Sequence, residues 1–121
     1  MVATKRVLVV DDEDVVCRSY ERVLSNAGFE VEKANDGSQA FDRIGKRDYD
    51  VMLADLRMPG MDGLQVVRKM RETRPNMKVI VVTGYPTQET LLEAERLGVA
   101  EYLTKPVAPA ELLLAVLRVA Q

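Results

Sequence analysis

The sequence predicts an α/β fold, a parallel sheet covered by helices on both faces. Three observations carry this. Short apolar runs alternate with longer stretches of helical periodicity. The alternation repeats five times, which is the pattern of βα units feeding a parallel sheet. The chain has 121 residues, enough for one domain and too few for two.

The elements follow in order. Val7 to Val10 reads as a strand buried on both faces. Glu13 to Ala27 has helical spacing, with Val16, Tyr20, Val23 and Leu24 on one side and Gly28 placed to end it. Phe29 to Lys33 alternates as a second strand. Gly37 to Gly45 is a short helix carrying Ala40, Phe41 and Ile44. Val51 to Ala54 is a third strand, followed by a turn-rich stretch from Arg57 to Gly63. Leu64 to Arg74 is a helix that Pro75 stops. Val79 to Val82 is a fourth strand. Thr87 to Leu97 is a helix ended by Gly98. Ala100 to Leu103 is the fifth strand and Ala110 to Ala120 the last helix. The whole of 1–121 reads as one domain without linkers or low-complexity segments.

Composition removes several function classes. The chain has no histidine, so Ser-His-Asp and Cys-His triads and histidine zinc sites are excluded. Seventeen basic and nineteen acidic residues leave a net charge of -2. No basic run is present to grip nucleic acid, so no direct nucleic-acid binding is expected. The single cysteine, Cys17, allows no intrachain disulfide and suits a reducing cytoplasm. The apolar run near the N-terminus is too short for a signal peptide or a membrane span.

In open parallel sheets, ligands bind beyond the carboxyl ends of the strands. Asp11 and Asp12 follow the first strand, Asp55 the third, Thr83 the fourth, and Thr104, Lys105 and Pro106 the fifth. Ala34 and Asn35, after the second strand, offer little. Three carboxylates, a hydroxyl and an amine thus converge on one edge. At ~5 Å and an effective dielectric of about 20, each carboxylate pair repels by roughly 3 kcal/mol. Protonation or a bound cation relieves this. An all-oxygen site favours a hard ion such as Mg²⁺. Asp12 and Asp55 are the expected direct ligands, with Asp11 bound directly or through water. Lys105 and Thr83 could steady the oxygens of a phosphoryl group in transit, and a carboxylate could be its nucleophile.

Each piece has a plainer reading. An acidic run at a helix start usually caps the helix. An Asp before a Pro-Gly turn is usually a turn residue. Tyr102 alone is a half-buried strand aromatic. The shared edge and the chemical complementarity favour a site.

The segments VLVVDDE at 7–13, DYDVMLADLRMPGMDG at 48–63, VIVVTGY at 79–85 and AEYLTKP at 100–106 resemble the receiver domains of response regulators. The resemblance covers the whole chain. It implies a flavodoxin-like (βα)5 fold with strand order 2-1-3-4-5. It implies that Asp55 accepts a phosphoryl group, and that Asp11, Asp12, Asp55 and the carbonyl of Arg57 hold Mg²⁺. Thr83 and Lys105 would bond the phosphoryl oxygens, and Thr83 and Tyr102 would act as the switch. The Lys105–Pro106 bond is expected to be cis. Bulky Arg57 and Tyr85 stand at positions that influence phosphoryl lifetime in the family. The donor would be a histidine kinase or a histidine phosphotransfer protein. The responding surface would comprise the fourth helix, fifth strand and fifth helix.

Three other classes compete. A binding module of the same fold would lack part of the acceptor, lysine and acidic set, and none is missing. A flavin protein would want a Ser-, Thr- and Gly-rich loop after the first strand, where this chain has Asp-Asp-Glu-Asp. A phosphatase would resemble a D-x-D pattern there, whereas these acids are adjacent. The last helix adds a clue about partners. Ala110, Leu112, Leu113, Ala115, Val116, Leu117, Val119 and Ala120 spread over roughly 220°, wider than the ~100° of a core stripe, and Leu114 lies outside even that arc. A homodimer mate or an output domain could cover the surplus.

Overall fold

Five strands and five helices alternate along the chain: β1 Arg6–Val10, α1 Asp14–Asn26, β2 Glu30–Ala34, α2 Gly37–Lys46, β3 Val51–Asp55, α3 Gly63–Thr73, β4 Lys78–Thr83, α4 Gln88–Arg96, β5 Glu101–Thr104 and α5 Pro109–Val119. They come from a computed structural model that describes residues 4–57 and 62–121. Met58 to Met61, within the turn expected at 57–63, lie outside the described residues, as do Met1 to Ala3. The five strands pair in parallel in the order β2-β1-β3-β4-β5, the doubly wound arrangement expected.

Several strands run one residue further than their apolar runs. Asp55, Thr83 and Thr104 are the last residues of β3, β4 and β5 rather than the first residues beyond them. The parallel register sets Val10 beside Ala54, Asp55 beside Val82 and Thr83 beside Thr104. Polar side chains therefore stand in a row along one edge of the sheet. After β1 the chain turns to β2 on one side, then returns to β3 on the other. α1, which follows β1, and α3, which follows β3, pack on opposite faces of the sheet, and in such sheets the crevice opens where the chain changes face.

Alternate residues of the central strands feed two apolar layers. Leu8, Val10, Met52, Ala54, Val79 and Val81 pack under α2, α3 and α4, with Ala40, Ile44, Val66, Val67, Met70 and Ala94. Val7, Val9, Val51, Leu53, Ile80 and Val82 pack under α1 and α5, with Cys17, Tyr20, Leu24, Leu112, Ala115 and Val116. The wide apolar arc of α5 divides accordingly. Leu112, Ala115 and Val116 enter the core, while Leu114 and Leu117 stay 56% and 42% exposed.

Side-chain caps fix three helix starts. The Asp36 carboxylate accepts from Gln39 N–H, and Asp62 with Gln65 and Thr87 with Thr90 form reciprocal capping boxes. Gly63 opens α3 directly against the end of β3. A Cβ there would stand 2.0 Å from the Asp55 carbonyl oxygen, so only glycine fits. The Gly63 N–H also donates to the Leu56 carbonyl at 3.1 Å. Helix and strand thus hold the backbone of Asp55 between them.

Arg71 ties the far end of the same layer. Its Nε donates to the Leu97 carbonyl at 3.0 Å and its Nη2 to that of Gly98 at 3.1 Å. Its Nη1 reaches the carbonyls of Arg74, Pro75 and Met77. A cation facing the carbonyl ends of α3 and α4 is favoured by both helix dipoles. Arg71→Ala should cost roughly 2 kcal/mol in urea unfolding, because five carbonyls, three of them in partly buried bonds, lose their donor. Arg71→Lys should recover only a minor part, since one ammonium cannot span the five oxygens. A loss below about 0.5 kcal/mol would show that water replaces the guanidinium freely.

Candidate functional site

Asp11 is the most constrained residue at the carboxyl edge. It leaves β1 with its N–H bonded to the Ala34 carbonyl at 3.0 Å and is 2% exposed. Its Oδ1 accepts from Glu13 N–H at 2.9 Å, and its Oδ2 faces the Lys105 ammonium at 2.9 Å. Its carbonyl accepts from Asn35 Nδ2 at 3.2 Å and from the Cys17 thiol at 3.4 Å. The acidic run does not act as a helix cap. Glu13 occupies the N-cap position of α1 with no side-chain cap bond.

Asp55 ends β3 beside it and is 6% exposed. One carboxylate oxygen accepts from Arg57 N–H at 3.3 Å, and the other lies 3.5 Å from the Lys105 ammonium. Asp12 is exposed. One carboxylate oxygen from each of Asp11, Asp12 and Asp55 lies within 4.8 Å of the other two. Lys105 reaches this cluster because β5 lies beside β4, and its N–H donates to the Thr83 carbonyl at 2.7 Å. The Lys105–Pro106 bond is cis, as expected. Thr83 is 1% exposed, and its hydroxyl oxygen accepts from Tyr85 N–H at 3.1 Å. Among the described residues no acceptor takes the hydroxyl proton, which can donate.

A cavity of about 650 Å³ opens over the edge, lined among others by Asp12, Arg57, Thr83, Tyr85, Thr87 and Thr90. The Arg57 guanidinium lies 3.9 Å from the centre of the Tyr85 ring, so these two bulky residues stack at its rim.

Electrostatics mark Asp55 as the strained member. Burial pushes its pKa above the ordinary carboxylate value and the Asp11 charge adds to this. Lys105 and the Arg57 N–H pull the other way without reversing it. For Lys105, burial favours the neutral amine, but the bond to Asp11 and the charges of Asp11 and Asp55 outweigh it, and the net direction is up. The ammonium is therefore held firmly charged. Burial and the neighbouring Asp11 and Asp14 push the Cys17 thiol up to about 11. It stays protonated and serves as a donor, not a nucleophile.

Of the residues singled out in the sequence, Asp11, Asp12, Asp55 and Lys105 meet directly. Thr83 joins them along the cavity wall, and Arg57 through its bond to Asp55. Tyr102 does not reach the cluster; its hydroxyl meets the Thr90 hydroxyl at 2.7 Å. Sequence reasoning passed over Asn35, Cys17 and Thr90. Asn35 follows the strand that pairs with β1, and that position was its one available signal.

Comparison with known proteins agrees with this geometry. The family model described as response regulator receiver domain matches residues 7–117. The chain belongs to the response regulator receiver domain family. Regulatory protein AtoC of Escherichia coli (strain K12) is 40% identical over 121 residues, which cover all of this chain and 26% of AtoC. The chain therefore spans about a quarter of that relative's length. A CheY-like receiver domain protein from Methanospirillum hungatei JF-1 superposes with a TM-score of 0.95 at 32% identity, covering 98% of this chain and 94% of its own. A response regulator protein from Burkholderia pseudomallei, solved with a phosphorylated aspartic acid, calcium ion and citrate, superposes with a TM-score of 0.86 at 28% identity over 92% of this chain and 65% of its own. The chain is thus a receiver domain of the two-component type. No helix among the described residues is long and apolar enough to cross a membrane.

The raised pKa of Asp55 in this receiver domain has a stability consequence with a definite sign. Between the ordinary carboxylate value, about 3.9, and the raised one, the folded chain binds more protons than the unfolded chain. Stability therefore falls as pH rises through that window. With chelator present, Asp55→Asn should raise Tm at pH 7 by roughly 2–5 °C, and the gain should vanish below pH ~3.5. Thermal melts at the two pH values check this. A loss of stability at pH 7 would mean that the bond to Lys105 outweighs the repulsion.

Proposed function

We propose that this receiver domain accepts a phosphoryl group on Asp55 and reports it through the surface formed by α4, β5 and α5. The observation that supports this most is the three-carboxylate cluster with the Lys105 ammonium facing both Asp11 and Asp55. The Burkholderia pseudomallei relative, solved with a phosphorylated aspartic acid, supports the same chemistry.

The donor set fits Mg²⁺, since its members are oxygens of Asp11, Asp12 and Asp55. The Arg57 carbonyl is the fourth member we assign. When bound, the ion neutralises negative charge on the phosphoryl oxygens and on the acids. The chain's own residues supply the rest. Asp55 is fixed by Gly63 and by the Arg57 N–H, so a carboxylate oxygen faces the incoming phosphorus. A P–O bond forms to Asp55 as the N–P bond of a donor phosphohistidine breaks, and the freed imidazole takes up a proton. Lys105 exchanges Asp11 for the phosphoryl oxygens. Thr83 donates its hydroxyl proton to them. The chain has no histidine, so the donor stands on a histidine kinase or a histidine phosphotransfer protein.

Phosphorylation adds nearly two negative charges beside Thr83 and Lys105. Thr83 ends β4 and Lys105 follows β5, the strands before and after α4, and the Tyr102 hydroxyl on β5 meets that of Thr90 on the helix. The exposed Leu91, Leu92, Leu114 and Leu117 give α4 and α5 an apolar surface that suits a homodimer mate or an output domain. Residues 1–121 act as one receiver unit in the cytoplasm.

Incubation with Mg²⁺ and acetyl phosphate, followed by intact-mass measurement, tests the acceptor. The mass should rise by one phosphoryl group, and neither Asp55→Asn nor a metal-free sample should show the rise. No gain from acetyl phosphate or from phosphorylated histidine kinases would leave a binding module of the same fold.

A further inference from the structure

The α4 helix is held in place differently from its neighbours. Only Ala94 of its nine residues is buried. Three polar ties replace apolar packing. The Thr90 hydroxyl meets the Tyr102 hydroxyl, Glu93 pairs with Arg68 of α3, and the Leu97 carbonyl just past the helix accepts from Arg71. An element with so little buried apolar surface opens at low cost.

Thr90 is the tie with a second duty. It closes the capping box of α4, where its oxygen accepts from Thr87 N–H at 3.2 Å and its proton is available to Thr87. It also lines the cavity that contains Thr83. A hydroxyl has two acceptor sites and one donor. If Tyr102 donates, all three are used: Thr87 N–H and Tyr102 fill the acceptor sites, and the Thr90 proton goes to Thr87. The hydroxyl that holds Tyr102 is thus part of the helix start and part of the cavity wall.

The geometry points to Thr90 as a positioning residue for Tyr102, a latch that joins the ring on β5 to the first turn of α4. Ring and helix start move together, and Tyr102 turns away only by leaving the Thr90 oxygen short of a partner. The inference deepens the switch surface proposed above and rests on it for its purpose. It does not depend on what reaches Asp55.

Two measurements without phosphodonor test it. Amide hydrogen exchange reads α4 in Tyr102→Phe, which removes the latch but leaves the capping box intact. Exchange in α4 should quicken about fivefold, the equivalent of one hydrogen bond of ~1 kcal/mol. Fluorine NMR of 3-fluorotyrosine-labelled protein reads the ring, with the Tyr102 signal assigned by its loss in Tyr102→Phe. Thr90→Val should shift the Tyr102 population by a similar factor, and Thr90→Ser should restore it. Unchanged α4 exchange in Tyr102→Phe, or a Tyr102 signal indifferent to Thr90→Val, would overturn the latch. Acetyl phosphate treatment of the same samples separates the two ideas. A latch response without a phosphoryl mass gain from acetyl phosphate or from phosphorylated histidine kinases keeps the latch and rejects the acceptor, and the reverse result rejects the latch alone.

Discussion

Carboxylate repulsion at the sheet edge is the constraint on which the rest of the structure depends. The parallel register of β1 and β3 sets Asp11 and Asp55 side by side, both nearly buried, with Asp12 adjoining them. Among the described residues, the Lys105 ammonium pairs with two of them, Asp11 and Asp55. Burial without full compensation raises the pKa of Asp55 and leaves the site short of positive charge. Such a site gains free energy from a cation, and the proposed phosphoryl group would bring its own need for one. The strain is local. It is tolerated because every polar atom of Asp11 is bonded and because Gly63 and Arg57 fix Asp55.

The surplus that tolerates this strain lies in the two apolar layers. β1, β3 and β4 contribute almost wholly buried residues, each worth roughly 1.5–3 kcal/mol for a Val, Leu or Ile side chain. The caps at Asp36, Asp62 and Thr87 define where the loops end and the helices start. A rigid sheet presents the acids, and the helix starts leave one cavity open above them.

Much of this was legible in the sequence, because buried parallel strands leave continuous apolar runs and their ends leave polar residues at regular intervals. The three acids and Lys105 were read from that position alone. Strand ends were less legible: Asp55 and Thr83 are polar, and apolar patterning stops before them although backbone pairing continues. Asn35 and Cys17 were overlooked for a different reason. They act on the Asp11 carbonyl, and a backbone acceptor leaves no mark in sequence. The α5 pattern showed more apolar surface than a core face needs, but only the packing separated Leu112 and Val116 from the exposed Leu114 and Leu117. Thr90 was hidden because its partner Tyr102 lies twelve residues on, across a helix and a strand.

The helices differ in how firmly they are bound, and this decides where a charge change could be felt. α1 buries Cys17, Tyr20 and Leu24, and α3 buries Gly63, Leu64, Val66, Val67 and Met70. Moving either would expose several large side chains at a cost well above the ~1–3 kcal/mol typical of coupling between sites. α4 buries one alanine and is otherwise held by polar ties to α3 and β5. Hydrogen bonds can be exchanged for others, or for water, at small net cost, whereas lost apolar burial cannot. Thr83 ends β4 and Lys105 follows β5, the strands before and after this helix, so the groups that would meet a charge on Asp55 adjoin the element that is cheapest to displace. The proposed response falls on α4 and its surroundings because α1 and α3 are more strongly packed, and it requires no separate pathway through the core.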